Sequence, residues 1–333
     1  MRKKILVVTD NLRDQVNGVV TTFKNIENHA LADGFDIVYL DPGQFPHCDA
    51  PGYPEVKLSW PRGLGKKIQA VDPEHIHIAT EGPLGLAARI WLDLKGWRYN
   101  TSYHTKFPEF LKKIYHIPLW ITYWYVRWFH KHSGRVLTTT LTMVNDLRKH
   151  GFRGYIAPWT RGVDRTIFQS SLRKEKLTGR PILLSVGRVS KEKGLDDFCK
   201  LDYPGATKVV VGDGPYKEEL QKKYPDVMFI GVRTGTELAE YFASADVFVF
   251  TSQSDTFGVV IIESLSVGTP VAAYPVPGPM DILENGITGY MSWDLKDCVD
   301  RCLGYDRERI KNASERWTWD RCWRIFKNNL VNR

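Results

Sequence analysis

Cysteine is scarce in this chain. Cys48, Cys199, Cys298, Cys302 and Cys322 are scattered through 333 residues. An odd, sparse set excludes a disulfide-stapled secreted module and reads as free thiols of a reducing compartment. Cys298 and Cys302 share a helical spacing, but no His or Cys stands near them at metal-site intervals. The pair is therefore expected to pack as small buried hydrophobes. Long apolar runs are missing too. The longest, "IPLWITYWYV" at 117–126, is halted by Arg127, and a bilayer span needs about 20 residues. The opening "MRKKILVVTDN" meets Asp10 and Asn11 without a small-residue cleavage site. It is expected to be a first strand and not a signal peptide. No internal repeat or low-complexity tract occurs. A nicotinamide-binding fingerprint is absent: the loop "DNLRDQVNG" lacks G-x-G-x-x-G, and "VGDGP" supplies only two glycines.

What is present is positive charge. Lys and Arg number 46 against 38 Asp and Glu, a formal net charge of +8. That balance suits nucleic acid, an anionic membrane or a phosphate-rich substrate, and the placement of the charge must decide between them.

A chain of this length exceeds one ordinary core. Strand-like and helix-like segments alternate from end to end, which predicts parallel sheets with helices on both faces. Strands are expected at 3–10, 36–41, 75–80, 98–105 and 135–140, with helices over 18–33, 83–95 and 141–150. The stretch "TRGVDRTIFQSSLRKEKLTGRP" is polar and aperiodic and reads as a linker. Strands then resume at 181–187, 208–212, 227–231, 247–252 and 270–275, with helices over 215–224, 236–245 and 257–268. The expected organisation is an α/β chain of two doubly wound, Rossmann-like domains facing each other across a cleft. The first covers 1–160, a linker 161–180, and the second 181–312. Ligands of such sheets bind beyond the C-terminal strand ends.

Two segments fall at such ends. In "SDTFGVVIIES", Asp255 lies in the loop after a buried strand, Gly258 near a helix start, and Glu263 one to two turns into that helix. A helix N-terminus offers free N–H groups to a phosphate, and carboxylates accept from hydroxyls on either side. These residues alone equally suit a helix cap and a surface ion pair. In "SVGRVSKEKGLDD", Arg188 and Lys193 follow the first strand of the same domain. Two cations there suit the clamping of a diphosphate leaving group. Loop cations are also commonly just solvated.

These two segments, with "PGPMDILENGITGY", resemble the donor-binding half of retaining GT-B glycosyltransferases of family 4. "NGV" (17–19), "TEGPLG" (80–85), "SYHTKFPEF" (102–110) and "WTRGVD" (159–164) resemble the branch holding lipid mannosyltransferases and sulfoquinovosyl-diacylglycerol synthases. The resemblance covers nearly the whole chain and implies the following. Asp255, with the amides of Phe257, Gly258 and Val259, holds sugar and diphosphate. The family more often has Glu where Asp255 stands, so the sugar hydroxyls reached by the shorter arm are open. Glu263 binds the ribose, and Arg188 and Lys193 neutralise the departing diphosphate. Gly18 lets the backbone approach a phosphate. His104 sits beside the sugar, placing it and stabilising charge at the anomeric carbon. Gly278 and Asp281 form a further donor loop, although Asp281 equally suits a helix cap. The segment 313–333 is expected to cross back onto the first domain. Transfer proceeds with retention and without a protein nucleophile. No Asp-x-Asp occurs in the sequence, in keeping with a mechanism that needs no metal or other cofactor.

On the acceptor side, 106–135 carries Lys106, Lys112, Lys113, Arg127, Lys131 and Arg135 among Phe107, Phe110, Tyr115, Trp120, Trp124 and Trp128. On a helix from about 119 to 132, Trp120, Trp124, Arg127 and Lys131 share one face, with Ile121, Tyr125 and Phe129 turned to the core. Trp beside Arg and Lys is the composition of a surface that lies on anionic lipid. The expected reaction moves a hexose from a nucleotide sugar, with GDP-mannose favoured over UDP-glucose or another uridine sugar. The expected acceptor is a membrane lipid such as diacylglycerol or glycosyl-diacylglycerol. The expected place is the cytoplasmic side, peripherally on the inner membrane face, with no nucleic-acid partner. A soluble sugar or glycan acceptor and a sugar-nucleotide epimerase of the same fold are the alternatives.

Overall fold

The computed structural model describes residues 2–15, 17–50, 53–172 and 179–333; the side chains of 53–56, 110, 113 and 114 lie outside that description. The chain divides into two compact units, Met1–Arg161 with Trp319–Arg333, and Gly162–Thr318.

In the first unit the strands are β1 (Lys3–Val8), β2 (Phe35–Leu40), the hairpin β3 (His47–Ala50) and β4 (Tyr53–Ser59), β5 (His75–Ile78), β6 (Asn100–Tyr103), β7 (Val136–Thr138) and β8 (Ile156–Pro158). Six of them form one parallel sheet in the order β2-β1-β5-β6-β7-β8. The central strand reads as an unbroken apolar run because both its faces are covered. Ile5 and Val7 enter a core with Phe23, Trp159 and Phe326, while Leu6 and Val8 enter another with Leu64, Leu84 and Leu92. The helix Trp319–Asn328 belongs to the first of these cores through Trp319, Cys322, Trp323 and Phe326. Trp159 Nε1 donates to the Cys322 carbonyl at 3.0 Å, and Trp323 Nε1 donates to Asp33 at 2.7 Å.

The second unit holds β9 (Ile182–Val186), β10 (Thr207–Val211), β11 (Met228–Gly231), β12 (Val247–Phe250), β13 (Val271–Ala273) and β14 (Gly289–Met291). They form a parallel sheet in the order β11-β10-β9-β12-β13-β14. It too has a core on each face. Leu184, Phe248 and Phe250 point to one, and Leu183, Val247 and Val249 to the other. Each unit is thus a doubly wound α/β sheet.

Every expected strand is present, most of them shorter than the apolar run that announced it. The segment 98–105 narrows to β6, so His104 is the first residue of the loop beyond its C-terminal end. The β3–β4 hairpin and the three-residue edge strands β8 and β14 were not expected. Four cysteines are buried and all five are free, but Cys48 is exposed. It lies on β3, an outward-facing hairpin strand, where no core is available to cover it.

Candidate functional site

In the second unit, three loops converge beyond the C-terminal strand ends. The loop after β9 ends in a tight turn, Lys191–Lys193, closed by Gly194 at φ 64°. A Cβ on Gly194 would lie 2.9 Å from the Thr251 carbonyl oxygen, so only glycine permits this approach to the loop after β12. The Thr251 hydroxyl donates to the Lys193 carbonyl at 2.9 Å. Lys193 Nζ donates to Asp255 Oδ1 at 2.6 Å, with each side chain about a quarter exposed. The third loop follows β13. Gly278, at φ 91°, packs so closely that a Cβ would meet the Phe257 carbonyl oxygen at 2.7 Å. Asp281 Oδ2 accepts from the Gly278 amide at 3.5 Å, reaching back along its own short helix turn. The two glycines of "VGDGP" serve the same end. A Cβ on Gly212 or Gly214 would lie 1.9 Å from the Gly187 carbonyl oxygen or 2.3 Å from that of Val189.

The helix Val259–Ser266 starts from Gly258 in the left-handed region and has no side-chain cap. Its first amides therefore face forward without a side-chain acceptor, which suits an anion. The Phe257 side chain is buried and meets Trp317 edge-to-face at 5.6 Å, so only its backbone is offered to the loop. Glu263 is half-buried in this helix, and the packing around it strips enough water to push its pKa from 4.5 up to about 7. Arg188 is exposed in the loop after β9. Lys193 and Asp255 are brought into direct contact, and Gly278 abuts Phe257.

His104 lies in the first unit. Arg161 Nη2 donates to His104 Nδ1 at 2.9 Å. A guanidinium only donates, so Nδ1 accepts and the ring proton resides on Nε2. Burial first, and the Arg161 charge second, hold the imidazole well below its usual pKa. His104 is thus a neutral Nε2–H donor, able to place a hydroxyl but without a full positive charge. Arg161 is buried, donates to the Trp159 and Thr160 carbonyls, and is pushed down to about 10 by desolvation. It stands within "WTRGVD", yet its bond to His104 could not be read from spacing.

Gly18 begins the helix Gly18–Ala32. Asn17 caps it by accepting from the Val19 and Val20 amides at 3.0 Å each. A Cβ on Gly18 would meet nothing within 4 Å, so the protein's own packing does not demand glycine there. Asp10, at the end of β1, also escaped notice in the sequence. It is half-buried and accepts from Thr80 Oγ1 and the Leu84 amide at 2.7 Å each and from Gly85 N at 3.3 Å. It caps the helix Pro83–Lys95 from a distance in sequence, and desolvation pushes its pKa up to about 6. A Cβ on Gly82 would collide with its carboxyl, which explains the glycine of "TEGPLG".

The aromatic-basic segment folds as two helices, Phe107–Tyr115 and Leu119–His130. Trp120 and Trp124 are 73% and 59% exposed, and Tyr115 and Ile121 are exposed beside them in sequence. The expected division of faces needs correction. Ile121 is exposed, while the buried stripe runs through Thr122, Tyr123, Val126, Phe129 and His130. The apolar register is shifted because Tyr123 and Val126 fill the core against Tyr103 and Met143. Arg127 also departs from expectation, donating to the His150 carbonyl at 3.0 Å. Lys112 and Lys131 are exposed, and the Lys113 side chain lies outside the described residues. Among the described residues, no helix is long and apolar enough to cross a membrane.

Comparison with known proteins identifies the family. The model of Glycosyltransferase Family 4 matches residues 16–166, and that of Glycosyl transferases group 1 matches 167–293. A GDP-mannose-dependent alpha-mannosyltransferase of Mycobacterium tuberculosis is 29% identical, over 98% of this chain and 95% of its own length. Sulfoquinovosyl transferase SQD2 of Arabidopsis thaliana is 30% identical, over 85% of this chain and 61% of its own. HepE of Anabaena, solved in complex with UDP and glucose, shares the fold with a TM-score of 0.71 at 16% identity, over 97% of this chain and 98% of that one. The chain belongs to the GT-B glycosyltransferases of family 4.

Proposed function

We propose that this enzyme moves a hexose from a nucleotide sugar, GDP-mannose ahead of UDP-glucose or another uridine sugar, to a membrane lipid of the diacylglycerol or glycosyl-diacylglycerol class. The observation that carries the donor half is the Lys193–Asp255 contact beside the uncapped start of the helix that bears Glu263. Cation and helix amides oppose the charge of a diphosphate, and the carboxylates accept from sugar and ribose hydroxyls. The departing phosphate takes the acceptor proton, so transfer retains the anomeric configuration. Arg188, Lys193 and the amides do the work of a divalent cation.

A thermal-unfolding series with GDP-mannose, UDP-glucose and UDP-glucuronate tests the donor. One of them is expected to stabilise the protein by about 2.7 kcal/mol at roughly a hundredfold excess over its Kd, with turnover surviving chelation by EDTA. The reading fails if none of the three moves the transition.

The acceptor half rests on Trp120 and Trp124 with Lys112 and Lys131, a surface suited to the inner face of an anionic membrane. Large apolar rings left in water this way mark an interaction surface. The Trp120→Ala/Trp124→Ala pair is expected to weaken sedimentation with phosphatidylglycerol vesicles by roughly tenfold or more, with the donor shift intact. Equal sedimentation of both proteins would remove the lipid from this surface.

A further inference from the structure

The second unit carries another feature on the sheet face opposite the helix Val259–Ser266. Trp293, just beyond β14, is 63% exposed. Its indole stacks on Tyr274, just beyond β13, with ring centroids 5.2 Å apart and planes at 29°. Tyr274 is buried in the core with Leu195 and Leu295. Its hydroxyl donates to Asp197 Oδ2 at 2.9 Å, and Lys200 pairs with Asp197 Oδ1 at 2.6 Å. One face of the indole is therefore backed by an anchored phenol, and the rest of the side chain stands in solvent. Tyr274 and Trp293 line an open cavity of about 510 Å³ that Asp197, Lys200, Asp202 and Asp294 also border.

The chemistry of this cavity is narrow. Asp294 takes the Lys296 and Asp297 amides on Oδ1, at 2.9 and 3.3 Å, as the cap of the helix Leu295–Cys302. Asp202 is exposed at the rim. Lys200 pairs with Asp197 and Lys296 with Asp300, so the rim keeps a modest negative charge that disfavours a phosphate. A flat, supported aromatic face ringed by hydroxyl acceptors suits a neutral pyranose, whose C–H face lies on the ring while its hydroxyls donate outward. Trp293, Asp202 and Asp294 lie outside the donor loops, while Tyr274 opens the loop that leads to Gly278 and Asp197 lies in the short helix Leu195–Cys199 behind Lys193.

We propose that Trp293 and its flanking carboxylates form a carbohydrate-binding subsite that takes neutral hexose units of a glycan. Affinity electrophoresis through gels containing α-mannan or glycogen tests it. The wild-type protein is expected to be retarded in at least one gel. Trp293→Ala is expected to weaken that retardation by roughly tenfold, with unchanged thermal unfolding and an unchanged nucleotide-sugar shift. Trp293→Phe keeps a ring and is expected to fall between the two. Glu263→Gln is expected to be retarded like wild type, which separates this subsite from the donor site. Free migration of the wild type in both gels overturns the proposal, as does equal retardation of Trp293→Ala. Loss of retardation in Glu263→Gln would move the glycan into the donor site. Release by choline chloride but not by free mannose or glucose would assign the platform to a quaternary ammonium group instead.

Discussion

Lys193→Ala is expected to lower kcat by roughly two to three orders of magnitude, the usual cost of deleting one group that meets charge only as it develops. The side chain lies about a quarter exposed with its ammonium on Asp255, so the loss of fold stability should be small by comparison. The variant leaves Asp255 without its cation, and Lys193→Gln is the gentler companion. Steady-state kinetics separate the outcomes. A fall confined to kcat, with KM for the nucleotide sugar little changed, fits a leaving-group clamp. A rise in KM with kcat intact would make Lys193 a ground-state binding residue only.

Glu263→Gln is expected to do two opposite things. It should abolish the nucleotide-sugar shift, because the carboxylate that accepts from ribose hydroxyls is gone. It should also raise the melting temperature of the unliganded protein at neutral and higher pH. The sign follows from burial. The folded-state pKa of Glu263 is raised from 4.5 to about 7, so folding favours the protonated form. Stability from this group is full below about pH 4.5 and is lost as pH rises through about 7, amounting to at most about 3 kcal/mol. Glutamine mimics the protonated acid and evades the loss. Thermal unfolding of both proteins at about pH 4.5 and pH 8 checks it, with a gap expected only at the higher value. The same ionisation sets ligand binding. Donor affinity of the wild type should weaken as pH drops below about 7. Identical melting of the two proteins at both pH values would mean that Glu263 is well solvated and carries no such burden.

Alternating apolar strands and helical periods were enough to read the doubly wound class, because a central strand such as β1 must be apolar on both faces. What escaped was short or locally ambiguous. The strands β3, β8 and β14 are brief or lie at edges, where the pattern of "HCDA" carries no core signal. The helix Leu119–His130 is aromatic nearly all round, so periodicity alone misplaced Ile121. The placement of Lys193 and Asp255 in loops beyond strand ends, and of Glu263 in the helix that follows, was legible because the apolar strand runs stop just before them. The tie between Arg161 and His104 was not, since it joins residues 57 apart in sequence through tertiary packing. Asp10 hid for the same reason: its capped helix begins more than 70 residues downstream.

The helix Trp319–Asn328 seals a core whose other walls lie in the first half of the chain. During translation the ribosome must therefore deliver Phe326 before Phe23 and Trp159 gain their full cover. The later unit, continuous from Gly162 to Thr318, has no such wait. Biosynthesis thus inverts the usual order, with the segment made first being completed last. Until then its unsealed apolar face is the natural target of holding chaperones.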